Sequence, residues 1–211
     1  MRISREEFRN RTGLDIDAEE IIALREIKKE RIEKIELMKE SFLEKLLKNV
    51  PLSMGEDYPY RGSKIITNTI SPKCLKIGQS FVQEDKIVSI LELPFVLEPY
   101  AYITISKLPP CIIYTKNRAH RVAAFYIPPI IEVYNGESYI LDGIHRSYIA
   151  RGIGSTMNYI VVENPSLDPP FKPRSWRDIR IVKEKPVRME ERYFDIKPEL
   201  FRLLKHVGID G

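Results

Sequence analysis

The sequence predicts an α+β protein: a small mixed β-sheet with a long helical N-terminal arm and a helical C-terminal tail. Three observations lead to this prediction. Apolar residues recur at helical spacing through 17–50, two β-rich runs flank an Asn-Gly pair at 135–136, and a glycine-bounded helix separates two apolar runs in 137–162. Spacing of three to four residues is typical of helices, whereas Asn-Gly between β-rich runs indicates a hairpin.

The composition is that of a soluble globular protein, since 43% of the 211 residues are hydrophobic and 30% are charged. Cys74 and Cys111 are too few for a disulfide framework. The N-terminus lacks the apolar segment of a secretory signal, and the uncharged run at 122–131 is too short to span a bilayer. We therefore expect a cytoplasmic protein without a membrane partner. Abundant Lys, Glu, Arg and Ile are typical of a thermophile.

Charge is unevenly distributed along the chain. Residues 1–100 contain 17 Lys and Arg against 18 Asp and Glu, whereas residues 101–211 contain 17 against 12, a net charge of +5. A basic half suits an anionic partner, such as a nucleotide or DNA, although the excess is smaller than that of a typical nucleic-acid-binding domain.

Residues 1–50 are predicted to form the N-terminal helical arm. Asp15 or Asp17 can cap its start and Pro51 ends it. Two arrangements fit this pattern: a helix packed on its own domain, or a helical hairpin or coiled coil that joins two chains as a homodimer. The apolar positions are Ile21, Leu24, Ile27, Ile32, Ile35, Met38, Phe42 and Leu46.

Residues 51–99 are predicted to form a linker or accessory segment, since glycine and proline are frequent at its start. Its apolar runs in 75–97 fit either short strands or one helix. The alternating stretch 101–106 predicts a strand, and 111–114 a further short one. Asn117 is a suitable N-cap for a helix ending at Phe125. Three basic residues on that helix are either simply exposed or a second basic wall of a binding site: Arg118, His120 and Arg121.

The stretch 129–141 predicts a hairpin around Asn135-Gly136, because a type I′ turn needs positive φ at both residues. A helix then begins after Asp142-Gly143 and ends at Gly152, and 159–162 predicts a strand. The crossover is long enough for the strands on either side of the helix to run parallel.

The turn at 142–147 has the features of an anion site. Gly143 allows close approach of the backbone, and the first helical turn offers free N–H groups at the positive end of the helix dipole. Arg146 either grips phosphate oxygens or pairs with Asp142. His145 either donates to phosphate, transfers a proton near neutral pH, or packs on the hairpin. Ser147 is an additional donor.

Asp142 has several candidate roles: it can bind a metal carried by the nucleotide, act on a substrate hydroxyl, or cap the helix. The C-terminal extension, 164–211, begins with a proline-rich loop. It is predicted to contain an edge strand at 179–183 and a last helix at 198–207. Its positive charge comes from Arg174, Arg177, Arg180, Lys183, Lys185 and Arg188.

The motif Asp142-Gly143-Ile144-His145-Arg146, after a strand and before a glycine-terminated helix, resembles the ParB/sulfiredoxin superfamily over 100–163. It is closest to the D-G-H-H-R of the archaeal free-serine kinases, while partition proteins carry G-x-R-R and sulfiredoxin G-C-H-R. The resemblance implies a ParB-like core in which Gly143, His145 and Arg146 hold nucleotide phosphates.

Two positions depart from these relatives. Ile144 replaces the sulfiredoxin cysteine, and 103–113 lacks the acidic residue that serves the kinases as a base. The resemblance implies binding of ATP, ADP or CTP, with Mg²⁺ arriving on the phosphates, and a phosphotransferase or nucleoside triphosphatase in which Asp142 and His145 are catalytic. The alternatives are a partition-type DNA-binding protein or nuclease, and an interaction protein without chemistry. No helix-turn-helix pattern is recognisable.

Overall fold

The computed structural model describes residues 1–28, 31–88, 90, 106–117 and 120–209, and its α+β class agrees with the predicted one. The helices with complete bounds are α1 (Arg5–Thr12), α2 (Glu40–Lys48), α3 (Ile144–Gly152) and α4 (Met189–Arg192), and residues 84–88 are also helical. The strands are β1 (Arg2–Ser4), β2 (Glu20–Ile22), β3 (Ile32–Leu37), β4 (Lys64–Ile70), β5 (Lys76–Ile77), β6 (Phe81–Gln83), β7 (Cys111–Asn117), β8 (His120–Tyr126), β9 (Ile130–Tyr134), β10 (Glu137–Asp142), β11 (Met157–Glu163) and β12 (Arg180–Val182). Short 3₁₀ helices occupy Leu24–Glu26, Pro72–Cys74, Trp176–Asp178, Pro198–Leu200 and Leu204–Val207.

The first sheet has the order β1-β2-β8-β7-β3, and it replaces the long N-terminal helix, which was a wrong prediction. Within 17–50 the chain forms β2, β3 and only the short helix α2. The pairing of β3 with β7 shifts register between Ile32 and Lys34. Such a bulge adds a residue, so Ile32 and Ile35 pack on the same cluster although they are three positions apart. The bulge therefore gave the apolar residues of this strand the three-residue spacing that is typical of a helix.

The homodimer expected through the N-terminal helix loses its basis. Ile21 and Leu46 are completely buried, and Leu43 is 4% exposed. All three belong to one cluster with Phe125 of the first sheet. These side chains therefore stabilise the chain itself and are not free to form a seam with a second copy.

A β-hairpin replaces the helix predicted from Asn117 to Phe125. Strands β7 and β8 pair antiparallel along their length, from Cys111 opposite Tyr126 to Asn117 opposite His120. The short strand predicted at 111–114 is confirmed as part of β7. β-branched and aromatic residues favour this pairing over helix, and the sheet partners outweigh the capping preference of Asn117.

The second sheet has the order β4-β11-β9-β10-β5. Residues 51–99, predicted as a linker or accessory segment, supply β4 and β5 to this sheet, and also β6. The strand predicted at 101–106 falls on residues 101–105, which lie outside the described part. Strand β11 was expected parallel to β10, but it pairs in parallel with β9 instead. Because β9 and β10 form an antiparallel hairpin, β11 runs opposite to β10.

A third, two-stranded sheet pairs β12 in parallel with β6, which confirms the strand predicted at 179–183. The predicted helix over 198–207 is wrong, because two short 3₁₀ helices lie there instead of an α-helix. Between them Arg202 forms an isolated bridge with Leu52, and its side chain is buried.

The two large sheets share one apolar core. A single cluster contains Ala123 and Phe125 of the first sheet together with Ile130, Ile160 and Val162 of the second. Strand β8 leads into β9 through Ile127-Pro128-Pro129, so the sheets are also covalently adjacent. Among the described residues, no helix has both the length and the apolar character that crossing a membrane requires.

Candidate functional site

The hairpin β9–β10 delivers the candidate site. Asn135 and Gly136 have φ values of 50° and 81°, so both residues of the turn adopt the positive φ that the Asn-Gly pair predicts. Tyr134 and Glu137, on either side of this turn, pair with each other. The register shifts between Ile140 and Asp142, and the pairing ends with Asp142 opposite Ile130, where the turn at 142–147 begins.

Gly143 is the N-cap of α3 and has a φ of 82°, in the left-handed region that favours glycine. A Cβ atom at this position would lie 2.6 Å from Pro129 Cβ and 2.9 Å from Pro129 Cα. The close approach that glycine permits here is thus to the chain's own proline. Gly143 fixes the direction in which α3 leaves the sheet.

Replacing Gly143 with alanine is expected to lower the free energy of unfolding by about 2 kcal/mol, through left-handed strain and the clash with Pro129. Chemical denaturation measures this difference. Gly152→Ala at the other end of α3 is the matched control, because nothing lies within 4 Å of its Cβ position. Equal stability of the two variants would contradict this role of Gly143.

Arg146 is held by groups of the protein. Its Nη1 donates to the carbonyl oxygen of Ile127 at 2.5 Å, and its Nη2 donates to Asp142 Oδ2 at 3.2 Å. The guanidinium also lies 5.6 Å from the ring centre of Tyr126. The pairing with Asp142 was one of the two predicted roles, and it is present. A guanidinium has five N–H donors, and the contacts of Arg146 with Ile127, Asp142 and Tyr126 use only part of them.

His145 packs against β6. Its Nε2 accepts a hydrogen bond from the backbone N–H of Gln83 at 3.0 Å, and its ring meets Phe81 edge-on at 6.5 Å. Burial is the main cause that lowers the pKa of His145 to about 4, and the positive charges of Lys86 and other nearby basic residues contribute to this shift. The ring is therefore neutral at pH 7, and the nitrogen that carries its proton is Nδ1. Proton transfer near neutral pH, which the sequence suggested, does not fit this environment.

Ser147 and Asp142 complete the turn. The hydroxyl of Ser147 donates to the carbonyl oxygen of Gly143 at 3.0 Å and accepts from Tyr159 at 3.0 Å, and the residue is fully buried. The buried side chain of Ser147 therefore stabilises the first turn of α3. Asp142 does not cap the helix: the N-cap is Gly143, without a side-chain cap bond. The turn thus brings Asp142, Gly143, His145, Arg146 and Ser147 together.

The accessory basic residues are not brought to this turn. His120 pairs with Glu19 at 2.6 Å, and Arg121 pairs with Asp17 and Glu33. Both lie at the start of β8, whereas Arg146 binds Ile127 just beyond its end. Six residues of strand separate the two places by roughly 20 Å. Arg118 lies outside the described residues.

Concave surface occurs near these accessory residues. Two adjacent cavities, of about 260 and 320 Å³, are both lined by Arg2 and Val122 at the β1–β2–β8 side of the first sheet. His120 and Glu19 line the larger one. Arg2 is paired with Glu20 and Glu26, so opposite charges already meet there. Within the described ranges, no group of three or more His, Cys, Asp or Glu is arranged to hold a metal ion.

The sequence did not predict the buried ion pair between Glu132 and Arg202. Glu132 of β9 accepts from Arg202 Nε at 2.8 Å and from the hydroxyl of Tyr60 at 2.5 Å. The hydroxyl of Tyr134 lies 2.6 Å from the second carboxylate oxygen. Burial and the negative charge of Glu132 raise the pKa of Tyr60. The one available signal was an acidic residue inside the apolar strand Ile130–Tyr134, since a buried charge requires a partner.

A scan against protein-family models found no match, and neither a search of curated proteins nor a search of solved structures found a significant one.

Proposed function

We propose that the turn at 142–147 binds the phosphates of a nucleotide, as the ParB/sulfiredoxin-like motif suggests. The observation that carries the proposal is the arrangement at the start of α3. The first helical hydrogen bond here runs from Ser147 N–H to the carbonyl oxygen of Gly143. The N–H groups of 144–146 precede it and have no partner within the helix, which makes them donors for an anion.

Charge at the turn supports an anionic ligand. Burial is the main cause that lowers the pKa of His145; the charges of Lys86, Arg146 and Lys185 also lower it, whereas that of Asp85 raises it. Three basic residues therefore lie near this ring, together with the acidic Asp85. Arg146, fixed by Ile127 and Asp142, contributes its charge at a defined position.

The turn suits phosphate binding better than it suits acid–base chemistry at His145. The neutral ring supplies its Nδ1–H as a donor, while its Nε2 remains bonded to Gln83. Asp142 is the acidic group of the turn, and its side chain is 17% exposed. In a phosphotransferase or nucleoside triphosphatase it would help to hold Mg²⁺ that arrives with the phosphates, since carboxylate oxygens suit that ion. ATP, ADP and CTP are the candidate ligands.

The test is calorimetric titration with ATP, ADP and CTP, with and without Mg²⁺. Arg146→Ala is expected to weaken nucleotide binding about ten- to a hundredfold, because a charge-assisted contact is lost. Arg146 also anchors Ile127, so the variant will melt at a lower temperature than the parent. The titrations are therefore carried out well below the melting temperature of the variant.

Arg151→Ala is the matched control, because Arg151 lies in the last turn of α3 and contacts Trp176. It removes the same charge from the same helix but leaves the phosphate turn intact. Unchanged nucleotide binding in Arg146→Ala would place the phosphate site elsewhere.

DNA binding is the second candidate, favoured by the exposed and unpaired basic side chains of the C-terminal extension. Arg177, Lys183 and Arg188 are exposed and form no ion pair with any described residue. Arg180, by contrast, is partly occupied by the carbonyl oxygen of Glu191. Titration of the same protein with duplex DNA separates the candidates. Tight binding that falls steeply with salt and is lost on neutralising these three residues would favour DNA.

A further inference from the structure

The carboxyl ends of the two strands of the third sheet lie beside the turn at 142–147. Strands β6 and β12 run parallel, with Gln83 opposite Val182 at their carboxyl ends. The backbone N–H of Gln83 donates to His145 Nε2 at 3.0 Å, so this edge lies directly against the first turn of α3. Because parallel strands end on one side, the residues that follow β6 and β12 emerge together beside His145.

Each strand is followed by a lysine three positions later. Lys86 follows Gln83, and Lys185 follows Val182. Both side chains are exposed, and neither forms a hydrogen bond or ion pair through its ammonium group within the described part of the chain. Each lysine thus carries a charge that the protein itself does not neutralise by direct contact.

The two segments that carry the lysines begin beside His145, because Gln83 lies opposite Val182 and donates to the His145 ring. These segments also carry the exposed acidic residues Glu84, Asp85 and Glu184. Burial lowers the pKa of Lys185, and the positive charges of Arg192, Lys86 and Lys205 lower it further. Like charges gathered in this way repel, and the repulsion is relieved when an anion with several charges binds between them. The C-terminal extension, rather than the ParB-like motif, brings Lys185 to this position.

We propose that Lys86 and Lys185 form a second wall of the phosphate site and bind the outer phosphates of a di- or triphosphate. This inference rests on the proposed function, because the first phosphate is assigned to the turn at 142–147. A single phosphate is satisfied by the first turn of α3. Only a longer phosphate chain reaches both the turn and the two lysines, so the lysines select ligands by their number of phosphates.

The test uses inorganic phosphate, pyrophosphate and tripolyphosphate as probes, titrated calorimetrically without divalent cations. The parent protein is expected to bind tripolyphosphate about a hundredfold more tightly than phosphate, at about tenfold for each lysine contact. Lys86→Met/Lys185→Met is expected to lose that preference while its affinity for phosphate is unchanged. Lys183→Met is the control, since it removes the same charge from the same segment.

A second measurement tests, without any ligand, whether the two lysines lie near His145. The pKa of His145, followed by NMR, is expected to rise in Lys86→Met/Lys185→Met and to stay unchanged in Lys183→Met. Equal binding of phosphate and tripolyphosphate by the parent and the double variant would refute the second wall but leave the turn as a phosphate site. A parent protein that binds none of the three probes would overturn both proposals.

Discussion

Glu132→Gln is expected to lower the free energy of unfolding by about 3–5 kcal/mol, the typical effect of removing one member of a buried ion pair. The side chain of Arg202 is fully buried, and that of Glu132 is 1% exposed. Without the carboxylate, the guanidinium would remain in the interior without a counter-charge. Arg202 also donates to the carbonyl oxygens of Leu200 and, at 3.1 Å, of Asp168. The loss therefore loosens the C-terminal extension together with β9.

Urea denaturation of the parent and variants gives the free energies. Lys197→Met is the matched control: Lys197 pairs with Asp168 at 3.6 Å in the same extension, but both side chains are at least half exposed. An exposed pair contributes roughly 0–1 kcal/mol. Glu132→Leu/Arg202→Met removes both buried charges and is expected to recover much of the stability lost in Glu132→Gln. Equal free energies of unfolding for the Glu132→Gln and Lys197→Met variants would contradict the structural role of the buried pair.

The second large effect is a dependence of stability on pH that originates in His145. Its pKa in the folded protein is about 4, against 6.5 for an ordinary histidine, so the unfolded chain takes up this proton first. The contribution of the neutral ring is therefore fully present above pH 6.5 and is lost as the pH falls towards 4. A shift of this size corresponds to about 3 kcal/mol.

Denaturation of the parent and of His145→Gln at pH 7 and at pH 4 measures this contribution. Glutamine keeps an oxygen that can accept from the N–H of Gln83, but it does not titrate. The variant is expected to lose about 3 kcal/mol less than the parent between the two pH values. Burial also lowers the pKa of His206, but that residue is present in both proteins and its effect cancels. An identical pH dependence in the two proteins would show that His145 is not buried as a neutral ring.

The sequence predicted the elements whose signals are local. The hairpin around Asn135-Gly136 is confirmed, because positive φ at both turn residues is decided by the residues themselves. Helix α3 begins after Gly143 and ends at Gly152, as the glycine spacing predicted. Strands β11 and β12 are confirmed for the same reason, since their apolar runs are bounded by turn residues.

Elements whose signals depend on distant partners were predicted less well. The bulge in β3 placed isoleucines three residues apart on one face, so a strand had the spacing of a helix. Pairing of β7 with β8 outweighed the capping preference of Asn117. In place of the helix predicted over 198–207 there are two short 3₁₀ helices, and Arg202 between them bonds to Glu132, which lies 70 residues earlier in the chain.

The sequence by itself determined the α+β class, the turn at 142–147 and the residues gathered there, because a tight turn and a short helix depend on nearby residues. Only the tertiary structure decided how those residues are used. It directed His145 against Gln83, paired Arg146 with Asp142 and separated His120 from the turn by the length of β8. It also brought together, through a parallel strand pair, the two segments that carry Lys86 and Lys185. Such contacts depend on strand order and register, which residues far apart in the chain decide jointly.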